Sequence, residues 1–357
     1  CAEEFHRLTA ETQSQWPTTM LSTSTHDTKR SEDVRARLNV LSEIPDQWIA
    51  AVRRWAAHNE RYRQGGLPDR NTEYFLYQNM LGAWPIPLDR LLGYMDKAVR
   101  EAKVHTTWTD PNPEYEGAVK SFVTAIMADS EFLRDFEAFL APLIEPGRIN
   151  SLAQTLIKYT APGVPDLYQG TELWDLSLVD PDNRRPVDFE RCRRRLNEIK
   201  GLSVPDIMKR MDEGLPKLFL IRTALAVRQE NPDLFVPESS YQPLWAQGAN
   251  ADHILAFVRS ERLVSVVPRW LMRLGSDWGD TAITLPEAIP IPILIWTLPW
   301  ACWSRLKRSI NSIISRAART ACLECSGLAS GAPKMDIKPS PTIWFTTPLW
   351  LPIASNI

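Results

Sequence analysis

Leu21-Ser22-Thr23-Ser24-Thr25-His26-Asp27-Thr28-Lys29-Arg30 is the stretch on which the reading of the fold turns. Uncharged residues, several of them β-favouring, run into a His-Asp pair and then two cations. That pattern predicts a short buried strand over residues 19–26, with ionisable side chains at its C-terminal tip. In parallel α/β barrels the loops at that end of a strand build the active site. The same residues also read as a strand followed by a plain helix cap. Asp27 or Ser31 would then be the cap, with Glu32 and Asp33 favouring the first turn.

Before this stretch, residues 1–18 are polar and amphipathic, with Phe5, Leu8 and Thr12 on a helical period. They read as the tail of a helix that starts upstream. After it, helical spacing covers residues 31–41 (Val34, Leu38, Leu41) up to a break at Pro45. Asp46 to Arg63 carries Trp48, Ile49, Val52, Trp55 and Ala56 on one face. Further helices are predicted over 72–82, 88–105, 115–127 and 130–144, separated by Gly and Pro punctuation. Residues 31–148 therefore read as a helical insertion. Trp48, Trp55 and Trp84 read as its core.

A helix over 149–161, capped by Asn150-Ser151, leads into Pro162-Gly163-Val164-Pro165-Asp166-Leu167-Tyr168-Gln169-Gly170-Thr171-Glu172. That is a second short strand, again with polar groups gathered at its end. The loop 180–188 is dense in charge and turn formers. Two basic helices, 189–200 and 216–230, finish at Asn231-Pro232. Tyr241–Trp245, His253–Arg259, Leu263–Pro268 and Thr281–Leu285 then read as strands of a small antiparallel β domain over 233–287.

The 357 residues can bury a sizeable core and suit two or three structural units. A net charge of −2 gives no reason to expect nucleic acid or an anionic membrane as partner. Residues 288–357 differ in kind, with seven Lys/Arg against two Asp/Glu. Their net of +5 leaves −7 for residues 1–287. The uncharged run 288–303 is sixteen residues long and broken by three prolines, short of the roughly 18 that a membrane-spanning helix needs. A shifted reading frame from Ala288 onward would explain the jump in composition. Five scattered cysteines form no disulfide framework and suit a reducing cytoplasm. Cys322-x-x-Cys325 lacks a second ligand pair, so neither a metal site nor a cofactor is expected. The chain opens on Cys1 without a signal peptide and reads as a mid-protein start.

Two polar-tipped strands separated by helices, then a helix and a small β domain, resemble the last part of an α-amylase-type glycoside hydrolase barrel. Thr25-His26-Asp27 is similar to the motif at the tip of that superfamily's seventh strand. Gly163 to Glu172 is similar to its eighth strand and following loop. The strings from Ser24 to Arg37, Arg100 to Trp108 and Gly170 to Phe189 sharpen the likeness to the maltooligosyltrehalose synthase family. The resemblance implies an α/β fold: the C-terminal part of a (β/α)8 barrel with a large helical insertion, then the β domain. It divides the chain into 1–30 (strand seven), 31–148, 149–232 (strand eight and closing helices), 233–287 and the aberrant 288–357.

Enzymes of that superfamily act with retention, through a carboxylate nucleophile and a carboxylic acid that later serves as base. A third carboxylate holds sugar hydroxyls and stabilises the developing positive charge. Asp27 matches that third position, and His26 would bond the same glucose. Lys29, Arg30, Lys103, His105, Trp108, Asp166, Tyr168, Gln169 and Glu172 are candidates to line the pocket, each with a plain structural role as the alternative. The nucleophile and the acid/base lie on the family's strands four and five and have no match here. The resemblance therefore implies a C-terminal fragment, inactive alone. A maltooligosaccharide would be the substrate, and a trehalohydrolase would take the product. Two other readings stay open: a hydrolase of the same superfamily, and a glucan-binding module using Trp84, Trp108 and Trp174.

Overall fold

The computed structural model describes residues 1–274, 278–285 and 293–296. The expectations for the rest of the tail, Cys322-x-x-Cys325 included, lie outside the described residues. In chain order the elements begin with α1 (Ala2–Gln15), β1 (Met20–Leu21), α2 (Glu32–Asn39), α3 (Pro45–Asn59), α4 (Arg70–Ala83), α5 (Leu88–Ala102) and α6 (Pro113–Ala128). Then come α7 (Ser130–Thr160), β2 (Val164–Pro165), α8 (Phe189–Glu198), α9 (Val204–Lys209) and α10 (Leu215–Glu230). The last part holds β3 (Tyr241–Leu244), β4 (Ala246–Gln247), β5 (Ile254–Arg259), β6 (Leu263–Pro268), α11 (Leu271–Leu274), β7 (Ala282–Ile283) and β8 (Ile293–Trp296). The fold is α/β, rich in helix with small sheets.

Two compact units emerge. The first comprises Cys1–Leu21, Leu152–Asp166 and the described residues from Arg193 on. Here β1 and β2 pair in parallel, Met20 opposite Val164 and Leu21 opposite Pro165. The amides of Val164 and Asp166 donate to the carbonyls of Thr19 and Leu21, each at 2.8 Å. Gly163, at φ +127°, makes the approach feasible: a Cβ there would stand 2.7 Å from Leu21 Cγ and 2.8 Å from the Thr19 oxygen. The larger sheet has the order β3-β5-β6-β8. Leu244, Ile254, Ala256, Val258, Val264 and Val266 line one face and pack with Leu274 and Trp278. Through Tyr241, α1 meets this sheet, its His6 Nδ1 lying 2.6 Å from the phenol oxygen. The sheet was expected to be wholly antiparallel, but β8 runs parallel to β6, so it is mixed. The run Ile293-Leu294-Ile295-Trp296 supplies that strand from beyond the expected boundary at 287.

The last turn of α7 also belongs to this unit. Its carbonyls have no partner within the helix, and two guanidiniums supply one. Arg228 donates to the Tyr159 oxygen at 3.0 Å and Arg259 to the Thr160 oxygen at 3.3 Å. Arg259 is only 2% exposed and also donates to Ser240 O and Ser239 Oγ. Burial, then the nearby charge of Arg228, pulls its pKa down to about 10.

The second unit comprises Ser22–Ser151 and Leu167–Cys192. Its core is aromatic. The Trp55 ring meets Trp48, Tyr77, Phe136 and Phe139 at centroid distances of 5.3–5.8 Å, and its indole N–H donates to Asp135 at 2.6 Å. Trp48 and Trp55 are buried, as expected of core residues, while Trp84 is half-buried against Phe136. Glycines bring α2 in close: a Cβ at Gly147 would stand 2.8 Å from Arg37 Cα, and one at Gly82 would stand 2.7 Å from Val34 Cγ1. Asp129 caps α7, taking the amides of Glu131 and Phe132. Burial raises its pKa, but bonds from His58, Arg61 and Tyr62 outweigh that and hold it well below the carboxylate range.

The separate helices expected over 130–144 and 149–161 are one, running through Pro142 and Pro146. Each proline strips the bond from the carbonyl four residues earlier. Those carbonyls belong to Ala138 and Pro142, both exposed residues, so water can take them and the helix continues.

Candidate functional site

The expected strand over 19–26 is paired only at Met20–Leu21. Beyond it, side chains capture the backbone. Ser22 Oγ donates to Ser24 O, and the Glu32 amide donates to Ser24 Oγ at 2.8 Å. Thr25–Thr28 closes a turn: the Thr25 amide donates to Thr28 Oγ1 at 2.9 Å and the two hydroxyls lie 2.8 Å apart. Ser31, not Asp27, caps α2, accepting from the Val34 amide. Asp27 is thus free of a capping duty. His26, Asp27 and Lys29 are exposed. Among the described residues neither the His26 imidazole nor the Asp27 carboxylate has a hydrogen-bond or ion-pair partner.

The turn is held from behind. Asn183 Nδ2 donates to the His26 carbonyl at 2.7 Å. The Ser31 amide donates to Ser177 O, and the Val179 amide to Lys29 O, so that Arg30 bridges Leu178 in antiparallel fashion. Asn183 sits on a loop fixed by Asp182, whose buried carboxylate takes two bonds from Arg90, at 2.6 and 2.8 Å, and the Leu178 amide. A small pocket opens between the turn and this loop, lined by Thr25 and Thr28 on one side and by Tyr168, Asp175, Ser177 and Asn183 on the other. Asp175 Oδ1 is 2.5 Å from Ser177 Oγ. Thr25 and Thr28, which flank the exposed His26-Asp27 pair in the chain, line this pocket, which has room for about one water.

The candidates named from sequence separate into groups. Tyr168 shares the pocket with the turn. Lys29 pairs loosely with Glu101 at 3.8 Å. Arg30 is half-buried and donates to Asn79 Oδ1 at 2.9 Å, its guanidinium 5.4 Å from the Phe75 ring centre. Burial lowers its pKa, and the side chain serves packing. Lys103, at φ +55°, closes α5 as an exposed left-handed cap. His105 Nε2 is 3.3 Å from Asp69 Oδ2, and its ring lies 4.5 Å from that of Tyr115. Trp108 is 56% exposed, with the Arg100 guanidinium 4.9 Å from its ring centre. Half-buried Asp166 directly follows β2 in the first unit. Gln169 is exposed, and Glu172 is half-buried with its Oε2 lacking a partner among the described residues.

Sequence reading passed over Asn183, Asp175, Ser177, Asp182 and Arg90. The crowding of charge and turn formers in 180–188 was a signal for Asp182 and Asn183 alone, and it does not say what the loop touches. Among the described residues no three His, Cys, Asp or Glu are grouped to hold a metal ion. No helix there is long and apolar enough to cross a membrane.

No protein-family model matches the chain. A Mycobacterium tuberculosis protein assigned as a maltooligosyl trehalose synthase is 38% identical over 294 residues, 80% of this chain and 36% of that protein. The relatives of this chain are maltooligosyltrehalose synthases. The structure of the Arthrobacter ramosus enzyme matches with a TM-score of 0.71 and 36% identity, over 80% of this chain and 36% of that one. A Sulfolobus tokodaii chain described as a hypothetical maltooligosyl trehalose synthase matches with a TM-score of 0.63 and 32% identity, over 75% and 35%. The resemblance read from the motifs is borne out. The chain spans about a third of the length of these relatives.

Proposed function

We propose that this chain is part of a maltooligosyltrehalose synthase, which turns the reducing-end α-1,4 linkage of a maltodextrin into an α,α-1,1 linkage. The 38% identity over 294 residues carries the reading. In it, β1 and β2 are the seventh and eighth strands of a (β/α)8 barrel, and residues 31–148 are a helical insertion between them. Their parallel pairing and the exposed His26-Asp27 turn just beyond β1 support this.

Asp27 acts as the third carboxylate of the retaining mechanism. It holds the hydroxyls of the reacting glucose and stabilises the oxocarbenium-like transition state. His26 bonds the same sugar. Half-buried Tyr168 and the exposed candidates line the sugar cleft of the whole barrel, which excludes water while the cleaved glucose turns and its anomeric hydroxyl attacks the glycosyl-enzyme. The nucleophile and the acid/base have no counterpart among this chain's residues, so the chain alone binds maltodextrin without turning it over. The product passes to a trehalohydrolase, in the cytoplasm.

The test is a hybrid in which the matching third of the Arthrobacter ramosus enzyme is replaced by this chain. With maltopentaose the hybrid is expected to remove reducing ends. Asp27→Asn should slow it by about a thousandfold, the scale of losing one charge-stabilising group. A gain in reducing ends would mean a hydrolase instead. A folded hybrid indifferent to Asp27→Asn would end the role given to Asp27.

A further inference from the structure

Trp108 is poorly placed for a residue that only packs. It stands 56% exposed on a turn that is closed twice, by the Thr107 amide on Asp110 O at 3.1 Å and the Asp110 amide on Thr107 Oγ1 at 2.8 Å. Thr106 anchors the turn from below, donating its hydroxyl to Glu116 at 2.6 Å and accepting the Asn112 amide. One face of the indole is backed by Arg100. That guanidinium cannot swing away, because Glu116 grips it through two bonds of 2.8 and 2.7 Å and Asp96 takes a third at 2.9 Å. An exposed aromatic with its backbone, one ring face and its support all fixed loses little freedom on binding a ligand. Thr107, Thr109 and Asp110 flank it in the chain. A lone ring in a polar rim matches the C–H face of a pyranose with its equatorial hydroxyls, and is too small for a hydrophobic protein contact.

We propose that Trp108, braced by Arg100 and Glu116, is a stacking platform for one glucose unit of an α-1,4-glucan chain. The proposal rests on the synthase reading for its choice of sugar. Of the three tryptophans named from the sequence as sugar platforms, Trp84 and Trp174 are half-buried and Trp108 is exposed.

Maltoheptaose binding to this chain is measured by calorimetry for the parent, Trp108→Ala, Trp108→Phe, Arg100→Met and Asp27→Asn, each checked for unchanged circular dichroism. Trp108→Ala is expected to raise Kd by roughly fivefold or more, with Trp108→Phe recovering most of it. Arg100→Met should give a smaller loss, since the ring remains but its brace is gone. A Kd unmoved by Trp108→Ala, or no recovery with Trp108→Phe, overturns the platform, as does absence of binding by the parent. If Asp27→Asn weakens binding while Trp108→Ala does not, the platform falls and the synthase reading stands. A parent that binds cellohexaose as well as maltoheptaose, through Trp108, would overturn the choice of an α-1,4-glucan.

Discussion

Alanine at four helical glycines should change stability in opposite directions, and the packing decides the sign. In an open helix interior, Gly→Ala gains about 0.5–1 kcal/mol because the unfolded chain loses freedom. Gly93 in α5 and Gly117 in α6 meet that condition, since a Cβ at either finds nothing within 4 Å. Gly147 in α7 does not. Its Cβ would meet Arg37 Cα at 2.8 Å and Arg37 Cβ at 3.0 Å. Those atoms belong to the buried residue Arg37 of α2 and cannot rotate aside. Overpacking of this kind costs about 1–3 kcal/mol, so Gly147→Ala should lose a net ~1–2 kcal/mol. Gly82→Ala should fall between, because its clashes are with the side chains of Val34 and Leu38. Urea unfolding followed by circular dichroism reads these differences as shifts in midpoint at constant slope. Thermal midpoints should move by roughly 2–4 °C per kcal/mol. If Gly147→Ala stabilises as Gly117→Ala does, α2 and α7 are not in the close contact described.

The Glu116–Arg100 pair should give a signature in acid. Bonds from Arg100 and Thr106 hold the Glu116 pKa at about 2, against an ordinary 4.5. The folded value is the lower one, so the pair's contribution is complete above pH 4.5 and is lost as pH falls toward 2. The gap in melting temperature between parent and Glu116→Gln should narrow over that window, and a constant gap would refute the pairing. Arg259→Met strands the carbonyl of buried Thr160, while the Ser240 carbonyl keeps the Ser260 amide. It should cost about 1–3 kcal/mol, with Arg259→Lys recovering little because a single ammonium cannot reproduce the fork. Equal stability of Arg259→Met and parent, by the same urea titration, would show the Thr160 carbonyl to be satisfied otherwise.

Much of this was legible in the sequence where the cause is local. Trp48 and Trp55 sit on one helical face and are buried together, and Ser31 before Glu32-Asp33 reads as a cap and is one. The errors have local causes too. Thr23 and Thr25 favour strand, yet the hydroxyls of Ser24, Thr25 and Thr28 bond the backbone and turn it after Leu21. A break was expected between 144 and 149, around Pro146-Gly147, yet α7 runs through it, since the carbonyls its prolines leave unbonded belong to exposed residues. Asp27 and His26 could be named as a polar tip, but Asn183, which holds that tip, lies 157 residues from His26. No period or spacing reports a contact of that reach.

Arg259 follows Thr160 by 99 residues, and Arg228 follows Tyr159 by 69. A ribosome adding about 5–20 residues per second therefore exposes the C-terminal end of α7 for roughly 5–20 seconds before its second cation is made. During that interval Val164 and Pro165 extend from a helix whose last carbonyls are left to water. Translation order thus makes both strands of the parallel ladder available before the helix end that feeds β2 can be capped.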